Sequence, residues 1–309
     1  MKKAFLFLLI IGGLVFISSI VSAQMYITNC TNNTVTRANL DGTGGVSLGN
    51  LNSTLDCPEG IAISGGKMYV ANNGNNTISR ANLDGTGGED LGDLNGTLDG
   101  PNGIAISGGK MYVVNIDSNT ISRANLDGTG GEDLGNLNGT LNLPFGIAIS
   151  GGKMYVSNWS HISRGNLDGT GGVSLGNLNG TVNDPTDIAI SGGKMYVVNL
   201  LTVSRGNLDG TGGENLGDLN GTLNGQYGIA ISGGKMYVAD GNTDTISRAN
   251  LDGTGGVSLD VATLDGPQYI AITPEVSTAV PTMNEWGMMV FMLLAAIASV
   301  YYLKRRKAL

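Results

Sequence analysis

The sequence predicts an all-β protein, a six-bladed β-propeller built from four-stranded blades. Three observations predict it: a unit that recurs six times, four short β-type segments in each unit, and hydrophobicity that falls from the first segment to the last. The tyrosine of a Met-Tyr pair recurs at Tyr26, Tyr69, Tyr112, Tyr155, Tyr196 and Tyr237, spaced 43, 43, 43, 41 and 41 residues. A period in the low forties with several short apolar runs is the pattern of propeller blades.

The copy beginning at Gly103 shows how each element is justified. GIAIS (103–107) alternates apolar residues, and a glycine pair leads into KMYVVN (110–115), so the two read as adjacent antiparallel strands A and B joined by a tight hairpin. A polar loop follows, then TISRANL (120–126) as strand C, the turn DGTGG (127–131), and a short polar strand D at its end. In a propeller, strand A lines the axis with both faces packed and strand D sits in water, which is the gradient observed. A β-helix, with shorter coils, does not require it.

The strand-A isoleucines number six: Ile61, Ile104, Ile147, Ile188, Ile229 and Ile270. The first copy begins at strand B and the last ends at strand A, so the C-terminal strand is expected to complete the first blade. That closure removes the exposed edges of an open array. The propeller body is placed at residues 24–273. Gly is abundant (51 of 309) and Pro scarce (7), a composition that resembles low complexity until the period is recognised.

The repeat residues carry a family resemblance. ISRANLDGTGG followed by GIAISGGKMYVAN resembles the YWTD propeller repeat of the low-density-lipoprotein-receptor type. The Tyr is kept in all six copies, and the Asp of the motif stands as Asn29, Asn72, Asn115, Asn158, Asn199 and Asp240, while its Trp is replaced by Ile or Val. The resemblance spans the body and implies a six-bladed fold; function does not travel with a propeller fold.

The ends read as targeting segments. Residues 1–23 have the form of a secretory signal peptide: Lys2 and Lys3, an apolar stretch over 4–20, and the small-residue site Val21-Ser22-Ala23. An uncleaved anchor is the alternative. At the other end, residues 274–287 form a linker carrying VPTMNEWG. An apolar run from 288, expected as a transmembrane helix over 288–307, ends in the basic Lys304-Arg305-Arg306-Lys307, which should stay cytoplasmic. VPTMNEWG with its helix and basic end resembles the bacterial IPTL-CTERM sorting tail: Pro281, Thr282, Trp286 and Gly287 match, whereas Val280 and Met283 depart from it. The resemblance implies an exosortase-type membrane peptidase as partner and transfer from the inner membrane to the cell surface or beyond. A plain membrane anchor is the alternative.

Residues 24–279 hold 11 basic and 24 acidic side chains, a balance near −13, and every basic residue occupies a repeat-invariant slot. A nucleic-acid protein needs a basic groove, and that class is excluded. The strand-C arginines (Arg37, Arg80, Arg123, Arg164, Arg205, Arg248) are expected to be structural, bridging neighbouring blades through carboxylates.

Comparing the copies separates scaffold from surface. Tyr-to-Arg spacing is 11 in four copies and 9 in the fourth and fifth, so all length variation lies in the B–C loops. Composition varies there and in the D–A loops, which emerge on the same face, while the A–B and C–D turns hardly change. One individual face and one monotonous face are expected if the individual face contacts something; drift in loops is the alternative. Six diversified positions are expected around the channel mouth: Glu59, Asn102, Phe145, Thr186, Tyr227 and Gln268. Beside them the fourth B–C loop supplies Trp159, the only Trp of the body, and His161, the only His. This set suits a carbohydrate or peptide ligand, although Trp159 serves local packing equally well.

A catalytic triad is not legible, and no cofactor or metal is expected. Asp184, Asp187 and Glu59 are the only candidates for a Ca²⁺-assisted lyase, lactonase or hydrolase at the mouth, and loop acids are usually just solvated. The six LDGTGG turns need no metal. Cys30 and Cys57 fall on the variable face of adjacent blades, where export makes a disulfide plausible, stapling the closing blade to its neighbour where ring opening would begin. Two free thiols are the alternative. The expectation is an exported binding propeller of the bacterial envelope; the enzyme and a structural matrix protein are the other readings.

Overall fold

In the computed structural model, residues 22–274 are described, together with helical positions 289, 290, 293, 294 and 297. The signal-peptide segment up to residue 21, the motif residues Pro281, Thr282, Trp286 and Gly287, and most of the expected membrane helix lie outside the described residues. No helix among the described residues is long and apolar enough to cross a membrane. Residues 23–274 form one compact unit.

Every repeat folds as its pattern dictates. In the third blade, strand A is Pro101–Ser107, B is Lys110–Asn115, C is Thr120–Asn125 and D is Glu132–Asp133. The A–B hairpin turns on Gly108 (φ 57°) and Gly109 (φ 73°), the doubly left-handed geometry that only glycine adopts freely. Strand B is buried along nearly its whole length, C alternates, and D is exposed. A bulge between Pro101 and Ile104 re-aims the start of strand A toward the axis, and all six blades show a register shift at this place.

Six four-stranded antiparallel sheets result, and the first consists of Pro267–Ile272 paired with Gln24–Asn29, then Thr34–Asn39 and Val46–Ser47. The C-terminal strand therefore closes the first blade. Apolar burial is divided into six layers, one at each junction between blades. The layer between the first two, for example, joins Tyr26 and Val35 to Met68 and Val70. Removing one of the fully buried methionines (Met68, Met111, Met154) would leave a cavity costing about 2–5 kcal/mol.

The Asn that ends strand B in five of the six blades is a polar hub. Asn72 Nδ2 donates to Thr54 O and to the hydroxyls of Thr77 and Ser79, and its Oδ1 accepts Asp56 N–H. In the sixth blade Asp240 replaces it and accepts three main-chain donors, Asn224, Asn242 and Thr243 N–H.

The constancy of the C–D turns has a cause in packing, and one expectation, that for the arginines, is corrected. A Cβ on Gly88 would lie 1.8 Å from Leu51 O of the preceding blade, and Gly131, Gly172, Gly213 and Gly256 are pressed on their neighbours in the same way. Their constancy is therefore a packing requirement, reinforced by Asp84 Oδ1 accepting both Thr86 N–H (2.9 Å) and Oγ1–H (2.6 Å). The arginines differ from expectation. Arg80 reaches the next blade through a carbonyl, Leu126 O at 3.0 Å, while its carboxylate partner Glu89 (2.6 Å) belongs to its own strand D. Arg123 and Arg205 repeat both contacts.

Candidate functional site

The axis of the ring is narrow because strand A repeats Gly-Ile-Ala-Ile. The six isoleucines Ile61, Ile104, Ile147, Ile188, Ile229 and Ile270 line a cavity of about 90 Å³, room for about three waters. The residue before each isoleucine is Gly in four blades, but Asp187 and Tyr269 in the other two. Both are buried and face the cavity. Tyr269 spans the channel: its hydroxyl donates to Asn102 Oδ1 (2.5 Å), with Thr186 O at 3.2 Å. Asp187 Oδ2 accepts Ile229 N–H at 2.8 Å.

Burial raises the acids of this region. Desolvation pushes the Asp187 carboxyl up to about 7, against main-chain hydrogen bonds that pull it down, and pushes the Glu59 carboxyl up to about 8. The Tyr269 hydroxyl is raised well above its ordinary value by burial and then by these two acids. At neutral pH the channel therefore holds protonated or half-protonated carboxyls. Asp187 Oδ2 and Asn102 Oδ1 already accept donors from the chain, Ile229 N–H and the Tyr269 hydroxyl, and so are occupied as ligand atoms. The grouping of Cys30, Cys57 and Glu59 does not fit a metal either, because the two cysteines form a disulfide.

The six diversified positions divide. Asn102 is buried and belongs to the Tyr269 plug. Thr186 donates to Tyr227 O at 2.8 Å. Glu59 is half-buried, its main-chain O accepting Thr28 Oγ1–H (2.6 Å) and its carboxyl 3.9 Å from Cys57 Sγ. Gln268 and Phe145 are half-buried, and Gln268 Oε1 has no partner among the described residues. Only Tyr227 is exposed, its ring lying along the B–C loop at Gly241. His161 starts strand C of its blade, where other blades carry Thr or Val, and its Nε2 meets Thr140 O at 2.8 Å. Trp159 is 50 % exposed.

The exposed apolar side chains on this face were only partly anticipated. Leu143, Leu200 and Leu201 join Trp159 and Tyr227, and all five belong to the B–C or D–A segments of the fourth to sixth blades. The signal was the shortening of the fourth and fifth B–C loops, which removes the polar residues present in the long loops.

Those long loops do a specific task. Each ends in a left-handed Asn or Asp whose Oδ1 accepts a main-chain N–H from the D–A loop of the next blade. The pairs are Asn33 with Cys57 (2.7 Å), Asn76 with Gly100 (2.8 Å), Asn119 with Leu143 (2.5 Å) and Asp244 with Gly266 (2.7 Å). The loops NWSH (158–161) and NLLT (199–202) lack this residue, so the donors in register, Asp184 and Gly225 N–H, have no acceptor among the described residues. Beside Gly225, Gln226 stands where other blades have Pro, 1 % exposed and with neither amide atom bonded.

No protein-family model and no curated protein matches the chain. Solved structures do. A chain of the nidogen/laminin complex is similar over 81 % of this chain and 98 % of its own, at 18 % identity and TM-score 0.71. Streptogramin B lyase is similar over 80 % and 82 %, at 15 % identity and TM-score 0.58. Virginiamycin B lyase from Staphylococcus aureus is similar over 80 % and 78 %, at 17 % identity and TM-score 0.50. At these identities the likeness concerns fold alone, and the fold is the six-bladed β-propeller.

Proposed function

We propose that this protein is an exported binding propeller, displayed on a bacterial envelope, that holds a protein or carbohydrate partner on its B–C/D–A face. The observation that carries the reading is the placement of Leu143, Trp159, Leu200, Leu201 and Tyr227 together on that face, within three consecutive blades. Soluble proteins seldom leave such apolar groups together without a partner. The partner sits on the face and not in the channel, because Tyr269 and Asp187 narrow the axis to a cavity of about 90 Å³, too small for a sugar ring or peptide. The resemblance to one chain of an assembly, the nidogen/laminin complex, agrees with a binding role and the two lyases with an enzymatic one, so neither decides it. Of the three carboxyls that an enzyme with Ca²⁺ would use, Asp187 is buried at the axis with Oδ2 already accepting Ile229 N–H, which favours binding.

The leader-like residues 1–23 and the VPTMNEWG tail support export, membrane anchoring and processing by an exosortase-type peptidase. Screening the purified body against protein and glycan arrays tests the binding reading. Capture is expected to be lost in the Trp159→Ala, Tyr227→Ala double variant with melting unchanged, and undiminished capture would sink it. Cell fractionation with and without residues 280–287 tests sorting, where identical distribution would remove that part.

A further inference from the structure

We propose that the junction between the fourth and fifth blades is a subsite for the acetamido group of an N-acetylhexosamine-containing glycan, whose sugar face lies on Trp159. This rests on the reading that the B–C/D–A face is the binding surface.

Four junctions show what the vacant positions require. At each, an oxygen of one blade's B–C loop accepts the main-chain N–H of the next blade's D–A loop, and in three of the four the oxygen belongs to a carboxamide (Asn33, Asn76, Asn119). Asp184 N–H occupies the same register but faces the shortened loop that carries Trp159. A main-chain donor in the register that elsewhere takes an amide oxygen is thus left without one at the junction whose B–C loop carries the exposed Trp159. The coincidence repeats one blade further on, where Gly225 N–H faces the loop carrying Leu200 and Leu201, 51 % and 54 % exposed. There the unbonded amide of Gln226 adds a buried donor and acceptor. Two equivalent subsites in succession fit an oligomer better than a single small molecule.

Charge and shape select the ligand. The body carries 24 acidic against 11 basic side chains, and Asp184 itself adjoins the donor, so an anionic acceptor is repelled and a neutral carbonyl favoured. The Trp159 loop is only two residues between strand ends and is pinned by Trp159 N–H donating to Asn142 O at 3.1 Å. It presents a rigid, flat aromatic surface that matches the apolar face of a pyranose. An acetamido group supplies the carbonyl oxygen for Asp184 N–H and a methyl for the apolar surroundings. An asparagine side chain of a protein partner offers the same carboxamide, and the test separates the two.

The ¹⁵N-labelled body is titrated with triacetylchitotriose, and with cellotriose, which has the same backbone without acetamido groups. The Asp184 amide resonance is expected to move with the first, while that of Gly100, already bonded to Asn76 on the other side of the ring, stays. Cellotriose is expected to bind at least about tenfold more weakly, as is triacetylchitotriose to the Trp159→Ala variant. Replacing Trp159-Ser160 by the four-residue sequence Ile-Asp-Ser-Asn of the third blade should restore the internal acceptor and abolish binding, in a protein whose melting shows it folded. Equal response to cellotriose, or a static Asp184 resonance at about 10 mM sugar, overturns the proposal. So does a cyclic peptide of sequence NIDSNT that shifts Asp184 where the sugar does not. If an array protein binds and is lost in the Trp159→Ala, Tyr227→Ala variant while the sugar fails, this inference falls and the binding-face reading stands. If nothing binds the face, both fall.

Discussion

Tyr269 and Asn102, 167 residues apart in the chain, meet across the axis of the ring, the tyrosine hydroxyl donating to Asn102 Oδ1 at 2.5 Å. The contact links the closing strand of the first blade to the third blade, so the channel is braced by side chains as well as by neighbouring sheets. Tyr269→Phe removes the donor and leaves Asn102 Oδ1 buried without one, which is expected to cost about 1–3 kcal/mol. Tyr269→Gly, the residue of four other blades, also empties the channel and should cost more, about 3–5 kcal/mol. Urea denaturation of both variants checks the order; equal stability to the parent would show that the plug does not brace the ring.

Stability is expected to fall as pH rises through the neutral range. Asp187 is raised from 3.8 to about 7 and Glu59 from 4.5 to about 8. The folded state therefore keeps these protons to higher pH than the unfolded chain does. Their favourable contribution is complete below about pH 4 and is lost progressively up to about pH 8. The limiting slope is about 1.4 kcal/mol per pH unit for each carboxyl within its window. The Asp187→Asn, Glu59→Gln variant should show a flatter profile between pH 5 and 8 in thermal melts. A parent profile that rises across that range contradicts the assignment.

Cys30 and Cys57 join the first blade to the second across a separation of 27 residues. Closing a loop of that length is worth about 3–4 kcal/mol through the unfolded chain. Alkylation without reductant should add nothing to the mass, and after reduction it should add two labels with a lower melting temperature. Full labelling of the unreduced protein would remove the bond.

The ring is expected to open on the side opposite the disulfide. The closing blade is stapled, whereas the junctions after the fourth and fifth blades lack the Asn–amide bond, and the apolar layer between the fourth and fifth is the smallest of the six. Restoring the four-residue loop in place of Trp159-Ser160 should therefore stabilise the protein by about 0.5–1.5 kcal/mol. Hydrogen exchange should be fastest at this junction in the parent and slowed in the graft. Slowest exchange there would reverse the picture.

Much of this was legible in the sequence because a repeat tests its own alignment. Residues constant in every copy, such as Tyr69 and Arg80, must be scaffold, and the partial first and last copies require the closing strand. Strand order, blade number and the identity of the variable face follow from periodicity and local turn chemistry alone. The site was less legible. Comparing copies marked Asn102 as individual without showing that it turns into the interior, because the bulge at the start of strand A decides direction within two residues. Asp187 and Tyr269 interrupt a column of glycines, a signal visible in the sequence but without meaning until the ring brings the six positions to one axis. The constancy of the C–D turns likewise has its cause in the neighbouring blade, where Leu51 O leaves no room for a side chain on Gly88.

The sequence by itself determined a closed six-bladed ring, since period, strand pattern and the two partial copies are properties of local spacing. Only the tertiary structure decided which loops reach across to the next blade, which junctions lack that bond, and that Tyr269 and Asp187 narrow the axis. Those are relations between residues far apart in the chain, and they exist only once closure has set each blade against the next.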